Sequence, residues 1–311
     1  MQMGFDLGTG DDVALMRDQI TGQFGSCLPV LRLEPMAQLV NSLISSRTRD
    51  AVSSAAFERL ICAYPQWPDL AAATVDDVQR TIADVTFPDV KARHLGETLR
   101  RIAVCHPDFD LSFLSSLSVT DALRWLEQLP GVGRKVSTST LNFSTLCLPA
   151  FVIDTHILRV LRRFGFVSPN AETRIAYETM MTAMADWRAT DLLELHVLLK
   201  RLGQTICRSN QAFCRRCPVS RNCKAAKSAD NAAEIASVAA ETGLGKTASA
   251  DKRSAAAKAL FPSSSNIARQ SPRQSISFGN RTIFTRRLFQ PGHERAGIAA
   301  RHGNLIHRSS L

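Results

Sequence analysis

Apolar residues recur at helical spacing from about residue 35 to residue 227. Runs that alternate apolar and polar residues, as strands do, are scarce in this stretch. Three segments carry the helical pattern: Met36-Leu39-Val40-Leu43-Ile44, Leu95-Leu99-Ile102-Ala103 and Ile157-Val160-Leu161-Phe164. The last segment runs into Gly165, and glycine is the usual residue just past a helix C-terminus. The pattern predicts an all-α protein built from short helices.

The composition changes after Cys223, where Ala, Ser, Asn, Gln and Arg dominate and apolar residues lose their period. A segment of this kind cannot bury enough apolar surface to fold alone. We therefore expect residues 228–311 to form a basic, disordered tail.

The net charge of +10 is uneven, because residues 228–311 hold 12 basic and 5 acidic residues and leave only +3 for residues 1–227. Global charge is thus weak evidence for a nucleic-acid binder, and local basic clusters must carry that argument. No apolar run reaches the roughly 18 residues of a membrane span, and the N-terminus is acidic. We expect a cytoplasmic monomer, associated with the nucleoid if the source is bacterial.

Leu129 to Lys135 reads LPGVGRK and lies between two amphipathic segments, which predicts a helix, a tight turn and a second helix. Gly131 and Gly133 have no side chains, so a ligand can approach the backbone closely. The unpaired N–H groups at the start of the second helix suit a DNA phosphate. An ordinary turn between helices would explain the glycines equally well.

Lys135 lies in the first turn of that second helix, where the helix dipole lowers the pKa of an amine and favours a nucleophile. A surface lysine near phosphate is the alternative. Asp154, in VIDTHILRV, directly precedes another amphipathic segment. Its structural role is an N-cap, and a capped carboxylate also keeps a fixed direction and its charge.

Four of the eight cysteines fall within 17 residues at the spacing C-x6-C-x2-C-x5-C, which favours a metal site over disulfides. They are Cys207, Cys214, Cys217 and Cys223. Zinc is possible, and an iron–sulfur cluster fits at least as well because only one short-spaced pair is present. Arg215 and Arg216 lie between the ligands and suit DNA phosphates.

These motifs together resemble the endonuclease III group of the helix-hairpin-helix DNA glycosylases, over roughly Pro35 to Cys223. The resemblance implies that Lys135 is the Schiff-base lysine, that Asp154 is the essential aspartate and that the four cysteines hold a 4Fe-4S cluster. It implies a two-domain all-α fold with a DNA groove between the domains. The six-helix domain with the hairpin would span residues 37–146, and the cluster domain residues 147–227, with residues 1–36 packing on the latter.

The resemblance also places DNA contacts at the hairpin residues Gly131, Gly133 and Arg134. Arg47 stands where better-known members usually have the glutamine that fills the gap left by a flipped base. Phe87 occupies the region of the wedge loop and is expected to intercalate.

We therefore expect a bifunctional DNA glycosylase and AP lyase of base-excision repair, acting on duplex DNA with an oxidised pyrimidine or an abasic site. One alternative is a glycosylase of the same fold that removes adenine or mismatched thymine. Another is a non-catalytic DNA-binding module with a structural metal, and a third is a redox-responsive DNA-binding protein.

Overall fold

The computed structural model describes residues 10–26 and 32–228. These form eleven α-helices: α1 Gly10–Phe24, α2 Pro35–Ser45, α3 Asp50–Ala63, α4 Trp67–Ala72, α5 Val75–Thr81, α6 Pro88–Cys105, α7 Val119–Leu126, α8 Arg134–Phe143, α9 Thr155–Phe164, α10 Thr173–Ala183 and α11 Ala189–Thr205. Three short 3-10 helices complete them: η1 Ser112–Ser116, η2 Cys214–Arg216 and η3 Ser220–Asn222.

The predicted all-α class is confirmed, since the described residues contain no strand and only two isolated bridges. The three apolar patterns coincide with α2, α6 and α9, and Gly165 ends α9 with a left-handed φ of +107°. In the part predicted as a six-helix domain the structure has seven α-helices. The difference arises because two short helices, α4 and α5, occupy the segment between α3 and α6.

The core is organised around α2, which packs against α3, α6 and α8. Leu39, Val40 and Ile44 of α2 are fully buried. Ser42 of α2 donates its hydroxyl to Ser139 of α8 at 2.9 Å, so the polar atoms between these two helices are paired. The C-terminal half of α2 is thereby fixed next to the middle of α8.

The second half of the described chain packs around α11, which contacts α9, α8 and α1. Arg201 of α11 donates to the carbonyl of Phe24 at 3.1 Å and stacks over its ring, which holds the end of α1. No described helix is long and apolar enough to cross a membrane. The predicted tail lies outside the described residues apart from Ser228.

Candidate active site

The turn between α7 and α8 is anchored on α6. Gly131 has a left-handed φ of +74°, which disfavours any side chain, and an added Cβ would lie 2.6 Å from His94 Nδ1 of α6. Thr98, also on α6, donates its hydroxyl to the carbonyl of Pro130 at 2.9 Å. Contacts inside the protein therefore set the shape of the turn.

Gly133 differs from Gly131, because the protein itself does not require a glycine there. Its φ of −95° and ψ of −179° suit any residue, and an added Cβ would meet nothing within 4 Å. Gly133 is the N-cap of α8, and no side chain caps the helix. The start of α8 thus faces open space, where its N–H groups are available to an anion.

Arg134, the first residue of α8, was predicted to contact DNA, and the structure places its side chain against the protein. Its guanidinium pairs with Glu127 and lies 4.6 Å over the ring of Tyr177, and only 12% of the side chain is exposed. Ser137 and Arg174 also donate to Glu127. Burial raises the pKa of Glu127, but the bonds and charges of these donors outweigh it and lower the pKa. The sequence pattern did not reveal this network, which holds the Arg134 side chain inward.

Lys135 follows in the first turn of α8 and is partly buried. Its Nζ donates to Ser45 Oγ, at the end of α2, at 3.1 Å. Burial is the main reason that the pKa of Lys135 is lowered to about 8; the charge of Lys200 also lowers it, while the charges of Asp154 and Asp50 raise it. About a tenth of the amine is therefore neutral at pH 7.

Asp154 is the N-cap of α9 and accepts the N–H of Ile157 at 2.9 Å through Oδ1. Its charge acts on Lys135 and on the buried His196. The structure therefore brings the two predicted catalytic residues into one electrostatic cluster. The cap bond uses one of the two carboxylate oxygens, Oδ1.

Two charged residues near Lys135 were missed by sequence reasoning. Asp50 begins α3, and Lys200 lies in the middle of α11, where its Nζ donates to Asp50 Oδ1 at 2.8 Å. We call Lys135, Ser45, Asp154, Asp50 and Lys200 the amine cluster. The available signal was Lys200 itself, a charged residue that directly follows the apolar run Val197-Leu198-Leu199 in α11.

Arg47 and Phe87 lie on two turns that are bonded to each other. Thr86 donates its hydroxyl to the Arg47 carbonyl at 2.9 Å, and its N–H to Thr48 Oγ1 at 3.0 Å. Arg47 and Phe87 both have left-handed backbones, with φ of 55° and 57°, and Phe87 is 55% exposed. Strained backbones of this kind persist where neighbours fix them. We call these four residues the rim.

Lys91 of α6 anchors the rim to α2. Its Nζ donates to the carbonyls of Ile44 and Ser46 at 2.7 Å each and to Thr48 Oγ1 at 2.9 Å. All three ammonium hydrogens are used, so a side chain with 8% exposure is fully satisfied. Burial and the charge of Lys135 lower the pKa of Lys91 to about 8.

The predicted metal ligands lie in one segment after α11, the cysteine loop (residues 207–223). All four thiols are free and partly buried: Cys207, Cys214, Cys217 and Cys223. Burial raises the pKa of Cys217 to about 11, and the charges of the other three thiols add to the effect. Among the described residues, no group of three or more His, Cys, Asp or Glu side chains is arranged to hold a metal ion.

Arg163 of α9 joins the two ends of the cysteine loop. It donates to Cys207 Sγ at 3.4 Å, and its carbonyl accepts from Cys223 Sγ at the same distance. Arg215 and Arg216 are exposed on η2, between the thiols. The loop is thus fixed on α9 while these two arginines face solvent.

Comparison with known proteins agrees with the fold and the motifs. Residues 40–186 match the family model "HhH-GPD superfamily base excision DNA repair protein". Endonuclease III homolog 1, chloroplastic, of Arabidopsis thaliana is 30% identical over 207 residues, which are 65% of this chain and 52% of the homolog. Endonuclease III of Thermotoga maritima is 28% identical over 192 residues, covering 61% of this chain and 83% of that protein.

Solved structures show the same fold. A trapped endonuclease III–DNA covalent intermediate superposes with a TM-score of 0.60 at 21% identity, covering 71% of this chain and 98% of that one. A thermostable thymine-DNA glycosylase gives a TM-score of 0.56 at 16% identity, covering 70% of this chain and 95% of that one. The match covers about half the length of the Arabidopsis homolog. The resemblance to the endonuclease III group is therefore confirmed, with residues 40–186 carrying the HhH-GPD family pattern.

Proposed function

We propose that this protein is a DNA glycosylase with AP lyase activity, and that it acts in base-excision repair on duplex DNA with a damaged base or an abasic site. The observation that carries the proposal is the Lys135 amine, which has a pKa of about 8 and shares one cluster with the Asp154 carboxylate. A neutral amine at neutral pH is what a Schiff-base nucleophile requires. We also propose that the protein is monomeric and cytoplasmic.

In the proposed reaction the Lys135 Nζ bonds to C1′ of the flipped nucleotide while the bond from C1′ to the base breaks. The base leaves with that electron pair and takes up a proton. Nζ then loses a proton, and O4′ leaves C1′ with the electron pair of the C1′–O4′ bond and takes up a proton. The sugar ring is thereby opened, and Nζ and C1′ are joined as a protonated imine. A C2′ proton is then lost and the 3′ phosphate leaves with the C3′–O electron pair, which is β-elimination. Water finally hydrolyses the imine and frees Lys135.

Asp154 supports this step by its fixed charge. Its carboxylate is oriented by the N–H of Ile157, so it needs no reorganisation when positive charge develops on the sugar. A group of this kind favours the transition state over the ground state. We assign Asp154 to stabilising the sugar cation.

The proposed DNA contacts surround the amine cluster. The N–H groups at the start of α8, beside Gly133, hold one phosphate. Arg47 and Phe87 enter the space left by the flipped nucleotide, which a duplex otherwise encloses. Arg215 and Arg216 hold phosphates next to the cysteine loop.

The donor chemistry of the cysteine loop fits a 4Fe-4S cluster. Burial and the neighbouring thiols raise the pKa of Cys217 and Cys223, and a cationic centre among the four partly buried thiols would deprotonate and hold them. The bound cluster would supply a rigid crosslink for the loop that carries Arg215 and Arg216. Iron and acid-labile sulfide in the purified protein would support it, and stoichiometric zinc would support the alternative metal.

The oxidised pyrimidine is the lesion class that we propose, from the resemblance to endonuclease III. Borohydride trapping tests the function, using duplexes with an abasic site, thymine glycol or a G·T mismatch. We expect a covalent band on the first two with the wild type and none with Lys135→Gln. A band from the mismatch duplex alone would redirect the proposal to mismatched thymine, and tight binding without any band would indicate a non-catalytic module.

A further inference from the structure

Lys200 is held at a fixed place beside the amine cluster by Asp50. Its Nζ donates to Asp50 Oδ1 at 2.8 Å, and Gln204, one turn further along α11, donates to Oδ2 at 3.2 Å. Two side chains from one face of α11 therefore donate hydrogen bonds to a single carboxylate at the start of α3. The side chain of Lys200 is 28% exposed, so its ammonium is drawn partly out of water.

Charges reach Lys135 from several packed elements. Lys200 on α11 opposes its protonation, while Asp154 before α9 and Asp50 on α3 favour it. Lys91 on α6 is also coupled to Lys135. His196 on α11 is buried with a pKa of about 4, so it is neutral near pH 7 and adds no charge.

The two carboxylates raise the pKa of Lys135 and so act against the effect of its burial. Lys200 is the cation on α11 that counters them, and its bond to Asp50 also neutralises part of the charge of that carboxylate. A neighbouring cation is one of the established ways to activate an amine as a nucleophile. The ion pair of Asp50 on α3 with Lys200 on α11 therefore affects the pKa of Lys135 on α8.

We propose that Lys200 is a positioning residue whose ammonium, fixed by Asp50, increases the share of the Lys135 amine that is neutral and able to attack the sugar. The inference rests on the proposed function, since it concerns the attack by Lys135. Lys200 itself touches neither substrate nor reacting atoms in this role.

The test is the pH dependence of single-turnover strand cleavage at a preformed abasic site, with saturating protein. Lys200→Met removes the cation and is expected to move the pH midpoint upward. A midpoint that lies one pH unit higher lowers the rate at pH 7 about tenfold. Asp50→Asn removes a carboxylate and keeps a carbonyl for Lys200, so the midpoint is expected to move downward.

The pH midpoint is expected to move upward in Lys200→Met and downward in Asp50→Asn, and this difference separates an electrostatic role of Lys200 from a structural one. If the ion pair only ties α3 to α11, both variants break the same contact and neither moves the midpoint. Lys200→Arg keeps the charge and is expected to restore the wild-type midpoint. Arg124→Met is the matched control, because it removes an exposed cation that is paired with Asp121 on α7. Thermal melting of each variant checks folding.

Two failures are distinguishable. No borohydride-trapped band from the wild type would overturn the proposed function and this inference with it. Normal trapping, with a midpoint that Lys200→Met leaves unchanged or lowers, would overturn this inference alone. An equal upward change of the midpoint in Arg124→Met would also overturn it, since net charge would then explain the effect.

Discussion

The amine cluster and the rim begin at the same end of α2 but are built in opposite ways. In the amine cluster the side chains are fixed: Lys135 is bonded to Ser45, and Lys200 to Asp50. In the rim the backbone is fixed, by bonds to Thr86 and Lys91, while the side chains of Arg47 and Phe87 are exposed.

This difference between fixed side chains and a fixed backbone indicates that the amine cluster and the rim have different roles. Fixed charged groups change the reactivity of an amine, because their fields do not relax when the reaction proceeds. Exposed side chains on a rigid backbone adapt to a partner at little cost in reorganisation. Changes in the amine cluster should therefore affect the chemical rate, and changes in the rim should affect DNA binding.

Asp154→Asn should give the largest effect of the variants that keep Lys135. Asparagine remains a good N-cap, so we expect little change in thermal stability, but the fixed charge is lost. The single-turnover rate should fall by about 10²- to 10⁴-fold with DNA affinity nearly unchanged. Gel-shift and trapping assays measure the two quantities. A loss of DNA affinity as large as the loss of rate would instead place Asp154 with the DNA-binding residues, and the contrast between the amine cluster and the rim would be weaker.

The pH dependence of the wild type should be the next largest effect. The pKa of Lys135 is about 8, and the attacking species is the neutral amine. Below that value the neutral fraction rises about tenfold per pH unit, so cleavage should accelerate from pH 6 to 8 and level off above. Rates measured on an abasic duplex at fixed ionic strength check this. A profile that still rises steeply through pH 10 would show that the amine is not activated.

Sequence reasoning found the parts of this site that are local. The hairpin and the capped Asp154 each lie within a few residues of their own signal. Asp50 and Lys200 are 150 positions apart, and the sequence around either residue does not indicate that the two form a pair. The same limit explains why the side-chain contacts of Arg134 could not be predicted, because α10 supplies the ring of Tyr177 that its guanidinium covers. Helix periods thus predicted the elements, and the charge pairs between elements needed the structure.

Phe87→Ala tests the rim at its exposed apolar end. Removing an aromatic surface that stacks on a base should weaken binding to a lesion duplex by about 1–3 kcal/mol. The single-turnover rate on a preformed abasic site, at saturating protein, should change little. Phe87→Leu is the matched control, because leucine also serves as a wedge between bases. If both variants bind like the wild type, Phe87 does not enter the DNA.

Arg47→Gln should give the smallest effect and separates two roles for one side chain. Arg47 is exposed, and its backbone is held through the carbonyl bond to Thr86, so the substitution should leave the turn in place. If its guanidinium neutralises a phosphate, the slope of log affinity against log salt should become shallower by about 0.9. Arg93→Gln, which removes an exposed arginine paired with Asp89 on α6, is the control and should leave the slope unchanged. An unchanged slope in Arg47→Gln, with altered preference for the opposite base, would instead assign Arg47 to the gap in the duplex. That outcome would sharpen the contrast with the amine cluster, since Arg47 of the rim would then contact the base opposite the lesion without adding to the electrostatic attraction between protein and DNA.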